Sequence, residues 1–184
     1  MTAQIFFLHS AGAQGPHEGS HDLVAWLKEA LGPRYDVLHP EMPNPETPDY
    51  APWKAELKKD FAELKGKVIF IGHSLGGSVL LKYLSEEPLT NPVAGLSIVS
   101  APFWGGDENW QYEPFTLSED FAQRLPDIPR VFLYHSANDP IVPFAHQALY
   151  AERLPRATVR RLDGDEHVWS LGLPELAADI KSLQ

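Results

Sequence analysis

A chain of 184 residues, 43% of them hydrophobic, is long enough for one domain with a real core and too short for two comfortable ones. Its 15 Lys and Arg stand against 25 Asp and Glu, a formal net charge of -10 with no basic cluster, which excludes nucleic acid and anionic membrane surfaces as partners on electrostatic grounds. The absence of cysteine excludes disulfides, thiolate nucleophiles and thiolate-held metals, and it suits a reducing cytoplasm without demanding one.

The first residues, "MTAQIFFLHSAGAQG", hold a short apolar run with no basic stretch before it. The run reads as a first strand over Ile5 to Leu8, not as a signal peptide or a spanning helix, and a soluble, cytoplasmic protein is expected. "SHDLVAWLKEALG" then sets Leu23, Trp26, Leu27, Ala30 and Leu31 on one helical stripe, with Ser20 as its cap and Gly32 as its stop. A strand follows over Tyr35 to Leu38. "HPEMPNPETPDYAP", from His39 to Pro52, carries five prolines and must be a stiff extended loop. The next helix, "APWKAELKKDFAELKG", aligns Trp53, Leu57, Phe61 and Leu64 and ends in Gly66.

Further apolar runs rich in β-branched and aromatic residues lie at Val68 to Ile71, Val93 to Val99, Val131 to Tyr134 and Thr158 to Leu162. Helical periods lie at Leu75 to Ser85, Pro143 to Glu152 and Leu173 to Leu183. Most of the runs are continuous, which suits strands covered on both faces, and strands spaced by helices read as βαβ units. The long segment from Ala101 to Pro129 breaks this rhythm, with room for one short helix in "LSEDFAQRL". A mainly parallel sheet gathers its site at the C-terminal strand ends. His9, Ser10, His73, Ser74, Ser100 and the stretch from His135 to Asp139 all follow such ends, and His167 comes shortly after the last.

In "VIFIGHSLGG" the order glycine, any residue, serine, any residue, glycine falls where a strand meets a helix. A sharp turn there holds the serine backbone in an unfavourable conformation and presents Ser74 over the N-terminus of the next helix. The N–H of Leu75 can then meet an oxyanion formed when Ser74 attacks a carbonyl. A serine hydroxyl needs a base, and the base a carboxylate that fixes its tautomer. Asp139 in "HSANDPIVPF" and His167 in "DGDEHV" stand in the right order and place. His73 adjoins the serine, but the turn sends neighbouring side chains apart. His135 is expected beneath the acid loop, and Asp163, Asp165 and Glu166 as solvated turn residues. A helix-capping role for Asp139 is the competing reading, one that would hardly coexist with holding His167. The second oxyanion donor is expected from the N–H of Ser10 or Ala11. No compact metal-ligand set and no phosphate loop appears, so neither metal nor cofactor is expected.

On "IFFLHSAG", "PEMPNPETPDYAPW", "VIFIGHSLGG", "HSANDPIVPF" and "DGDEHV" the chain resembles the α/β-hydrolase superfamily, and within it the small serine hydrolases of the retinoblastoma-binding-protein-9 and YdeN type. The resemblance implies a three-layer α/β sandwich, a compact sheet of about six strands in the order 2-1-3-4-5-6, and no separate lid. It also implies hydrolysis of small carboxylic esters by Ser74, Asp139 and His167. Its one departure is Ser10, where many members carry glycine. Around Ser74 a substrate pocket is expected from His9, Phe103, Trp104, Trp110 and Tyr112, with Met42 and Trp53 as contributors. The excess of acid favours a small neutral acyl ester as substrate. Two alternatives stay open: a peptide- or protein-binding module on the same fold, and an acyltransferase using the same residues.

Overall fold

The computed structural model describes residues 2–183. The apolar runs form six strands, β1 (Ala3–Leu8), β2 (Tyr35–Leu38), β3 (Val68–His73), β4 (Val93–Val99), β5 (Val131–Ser136) and β6 (Thr158–Leu162), every pairing parallel, in the order β2-β1-β3-β4-β5-β6. β3 and β4 are buried along their whole length, which is why their sequences do not alternate. β6 lies at the sheet edge and does alternate in burial. β3 and β5 each run past the predicted apolar run, taking His73 and Ser136 into the ladder, because neighbouring strands continue to pair there.

Helices α1 (His21–Leu31), α2 (Tyr50–Glu63), α3 (Leu75–Glu86), α4 (Phe121–Arg124), α5 (Ala145–Arg153) and α6 (Pro174–Lys181) cover the sheet. Leu23, Leu27 and Leu31 of α1 and Leu176 and Ile180 of α6 pack with Ile5, Phe7 and Ile71 on one face. Trp53, Leu57 and Phe61 of α2, Val79 and Leu80 of α3, and Tyr150 of α5 pack with Phe6, Phe70 and Ile98 on the other. The sheet thus lies between two helical layers, with a core on each side.

Several boundaries differ from the sequence expectation for local reasons. α2 stops at Glu63, and Gly66 lies beyond it with a φ of 67°, serving the turn into β3 instead of the helix end. α5 begins two residues after the expected Pro143, and α6 begins one residue after the expected Leu173, at Pro174, whose fixed φ suits a first helical position. Ser20 makes no side-chain bond to the α1 backbone, because its hydroxyl is engaged elsewhere. Met42 and Trp53 are 1% and 0% exposed, so they are core residues and not pocket walls. The Trp53 Nε1–H donates to Pro43 O, which ties the proline-rich loop to α2.

Two polar clusters brace the layers. Glu86 at the end of α3 accepts hydrogen bonds from Tyr50 Oη at 2.6 Å and Lys54 Nζ at 2.9 Å and pairs with Lys82 Nζ at 3.1 Å. Burial works against its charge, but these donors outweigh it and lower its pKa to about 2. Asp179 of α6 accepts from Tyr134 Oη at 2.9 Å and from Arg160 at 2.7 and 3.0 Å, locking α6 to the sheet edge. Among the described residues no helix is long and apolar enough to cross a membrane.

Candidate active site

The turn between β3 and α3 holds Ser74 at φ 53° and ψ -124°, a conformation that side-chain-bearing residues rarely adopt. Glycines make the turn possible by close approach. A methyl added at Gly76 would overlap the main-chain oxygens of Leu8 and His9, and one at Gly72 would come within 2.6 Å of Gly77 Cα. β1, β3 and α3 therefore meet at a point where only glycine fits. The Ser74 N–H is held by Val99 O at 2.8 Å, which fixes the turn to β4.

Ser74, Asp139 and His167 come together, although they are far apart in the chain. The His167 Nε2 lies 3.1 Å from Ser74 Oγ, and its Nδ1 lies 2.8 Å from Asp139 Oδ2. The carboxylate can only accept at neutral pH, so Nδ1 carries the ring proton and Nε2 is left to accept from the serine hydroxyl. Asp139 is fully buried at its side chain. Its second oxygen, Oδ1, accepts from the N–H groups of Ile141 at 2.8 Å and Val142 at 2.9 Å. Asp139 does not cap α5, which begins at Ala145 with Phe144 before it; its Oδ1 instead ties down its own loop while Oδ2 faces His167. Burial alone would raise the Asp139 pKa, but hydrogen bonds from His135, His167 and the main chain hold it well below the usual carboxylate range. His135 lies under this loop as expected, donating from Nε2 to Val142 O at 2.8 Å. Asp163 and Asp165 are exposed.

The expected oxyanion donors separate. The Ser10 N–H is engaged by Ser20 Oγ at 2.9 Å, which removes it from the candidates. The N–H groups of Leu75 and Ala11 have no hydrogen-bond partner among the described residues. Of the two β1-loop amides expected as donors, that of Ala11 is the one without such a partner.

His9 does not line a pocket. It is fully buried, accepts from the Met42 N–H at Nε2 and donates from Nδ1 to Ser10 O, so both ring nitrogens are used in shaping its own loop. Burial lowers its pKa. The segment between β4 and β5 starts beside the turn, since Ser78 Oγ and Tyr150 Oη both donate to Pro102 O, at 2.6 and 2.7 Å. Its aromatics pack largely on one another: Trp104 lies 5.1 Å from Trp110 and 5.4 Å from Phe115, and Phe103 lies 4.9 Å from Tyr150. Tyr112 is 42% exposed. His146 pins the segment, accepting from the Phe103 N–H at 2.8 Å and pairing through Nε2 with Asp107 at 3.0 Å. Clefts of about 310 to 740 Å³ occur elsewhere on the surface, and Ser74, Asp139 and His167 line none of them. Among the described residues no cluster of His, Asp and Glu has a metal-binding arrangement.

Sequence reasoning gave His73 only as a rival base and Ser20 as a helix cap, and did not single out His146; all three are buried and bond to distant elements, His73 and Ser20 beside Ser74 and His146 in the segment after β4. None carries a local signal beyond being polar next to apolar neighbours.

The sheet order, the two helical layers and the serine on the turn after β3 define an α/β-hydrolase fold, and solved structures agree. The ydeN gene product of B. subtilis superposes with a TM-score of 0.83 at 22% identity, covering 99% of this chain and 98% of that one. Est1E from Butyrivibrio proteoclasticus, solved with ferulic acid bound, superposes with a TM-score of 0.71 at 17% identity, covering 98% and 87%. The serine hydrolase family model matches residues 16–169, and the chain belongs to that family. It is 26% identical to serine hydrolase RBBP9 of Rattus norvegicus over 176 residues, 94% of this chain and 91% of the relative. It is also 26% identical to YdeN of Bacillus subtilis (strain 168) over 161 residues, 85% and 82% of the two chains.

Proposed function

We propose that the protein hydrolyses small neutral carboxylic esters through an acyl-enzyme, with Ser74 as nucleophile, His167 as general base and Asp139 as the group that orients the base. The observation that carries this reading is the His167 ring, which reaches Ser74 Oγ at 3.1 Å and Asp139 Oδ2 at 2.8 Å at once. Membership of the serine hydrolase family supports it.

As Ser74 Oγ attacks the ester carbonyl, its proton passes to His167 Nε2, and the buried Asp139 carboxylate stabilises the imidazolium that forms. The tetrahedral oxygen takes its negative charge between the N–H groups of Leu75 and Ala11, and each such donor contributes about 3 kcal/mol. The imidazolium returns its proton to the departing alcohol. Water then attacks the acyl group by the same route and frees Ser74. The acidic surface disfavours anionic substrates, and the aromatics beginning at Phe103 give an apolar wall for the acyl or alcohol part. A cytoplasmic site of action accords with a chain that needs no disulfide.

The test is labelling with a fluorophosphonate probe. Native protein is expected to label stoichiometrically at Ser74, and Ser74→Ala and His167→Ala to lose the label while keeping their thermal midpoints. A folded native protein that takes no label would overturn the reading and favour a binding role. Esters of graded chain length, assayed with and without acceptor alcohols, separate hydrolysis from acyl transfer.

A further inference from the structure

His73, next to Ser74 in the chain, is fully buried and uses both ring nitrogens on groups from other parts of the site. Nε2 lies 2.7 Å from the main-chain oxygen of His167, and Nδ1 lies 2.8 Å from Ser20 Oγ. A carbonyl oxygen can only accept, so Nε2 must carry a proton. Burial, and after it the nearby His167, push the His73 pKa down to about 3, so the ring is neutral and Nδ1 carries none. Nδ1 must then accept, and the single Ser20 hydroxyl proton points at it. The Ser20 oxygen is left with lone pairs only, and it accepts the Ser10 N–H at 2.9 Å.

Every bond of this chain thus has a forced direction, from the main chain of the base to the loop after β1. At its far end the Ser10 carbonyl is held as well, by His9 Nδ1 at 2.6 Å and Gln14 Nε2 at 3.1 Å. Both sides of Ser10 are thus fixed, and the N–H that follows, that of Ala11, has no hydrogen-bond partner among the described residues.

We infer that His73 is a positioning residue that sets His167 and the Ala11 oxyanion donor in one frame, acting through the His167 carbonyl and through Ser20. It touches no substrate atom and moves no proton during turnover. The inference rests on the reading of Ser74, His167 and Ala11 given above. A buried histidine that merely fills space would support stability alone. A residue holding base and oxyanion donor in register supports the transition state, because displacement of about 1 Å at a reacting group costs on the order of a hundredfold in rate.

The experiment compares ester hydrolysis and fluorophosphonate labelling rates in the native protein, His73→Phe, His73→Gln, Ser20→Ala and the double variant His73→Phe with Ser20→Ala. Thermal midpoints are recorded for each. His73→Phe and Ser20→Ala are expected to lower kcat roughly tenfold to a hundredfold with KM changed by less than about twofold. The side-chain amide of His73→Gln reaches the position of Nε2, keeps the bond to the His167 carbonyl and recovers part of the loss. The double variant falls no further than the worse single one, because both cut the same chain. Should Ser20→Ala, folded as judged by its midpoint, keep native kcat, or should losses appear only in KM or multiply in the double variant, the positioning role is wrong. Absence of activity and labelling in the native protein would instead overturn the esterase reading, and this inference with it.

Discussion

Replacing Asp139 by asparagine separates what its two oxygens do. The amide is nearly isosteric, and two main-chain donors, Ile141 N–H at 2.8 Å and Val142 N–H at 2.9 Å, decide which way it turns. Only the amide oxygen can accept those bonds. The NH2 group is therefore left facing His167 Nδ1, which must give up its proton and accept. The ring proton moves to Nε2, where it faces Ser74 Oγ and prevents the base from taking the serine proton. A wrong tautomer in such a constellation lowers kcat about 10⁴-fold, equivalent to about 5 kcal/mol in the barrier. Stability should change little, because the Ile141 and Val142 bonds survive. Asp139→Ala removes the acceptor as well. It leaves the part-buried Val142 N–H unpaired at about 1 to 3 kcal/mol, while the exposed Ile141 N–H can turn to water, so this variant is expected to lose both activity and about 1 to 3 kcal/mol of stability. The assay is steady-state ester hydrolysis at neutral pH beside urea unfolding of both variants. Activity of Asp139→Asn within about tenfold of native would refute the tautomer argument, and equal unfolding midpoints for Asn and Ala would refute the division of labour between the oxygens.

The glycine requirement at the turn predicts that Gly76→Ala destabilises by more than about 4 kcal/mol or yields no folded protein, since the methyl would overlap two main-chain oxygens. Gly66→Ala, where nothing lies within 4 Å of the added methyl, is expected to cost only about 1 kcal/mol from its positive φ, and similar losses in both would count against the steric argument. Glu86 predicts an acid limb in the stability curve. Its folded pKa of about 2 lies below the unfolded carboxylate value of 4.5, so the unfolded chain binds the proton first. Its contribution is complete above about pH 4.5 and declines as pH falls toward about 2, and Glu86→Gln should flatten that limb in urea titrations run at a series of pH values. A variant whose pH dependence matched the native curve would show that Glu86 does not supply it.

The strands were legible because burial on both faces leaves a continuous apolar run. Val93 to Val99 matches β4 residue for residue for that reason. Boundaries set by neighbours were less so: His73 and Ser136 extend their strands only because adjacent strands pair with them. At the site, the Gly-x-Ser-x-Gly spacing and the order of acid and histidine led to Ser74, Asp139 and His167, which do meet. Ser20 was misread because a hydroxyl that bonds across the fold looks, in sequence, like one that caps the helix beside it, and the Ser10 N–H was misassigned because that same hydroxyl engages it. His9, expected in the pocket wall, and His73, weighed only as a rival base, were given the wrong roles for a similar reason. Their partners, Met42 and the main chain of His167, are 33 and 94 residues away, and no periodicity announces such a pairing.

The aromatic segment after β4 is braced mostly by itself and by its anchors on α3 and α5, and none of its side chains bonds to Ser74, Asp139 or His167. That segment and the Ser74, Asp139 and His167 contacts are thereby mechanically separable: an exchange at Trp104, Trp110 or Tyr112 would reshape the surface after β4 and leave the three-residue hydrogen-bond relay as it stands.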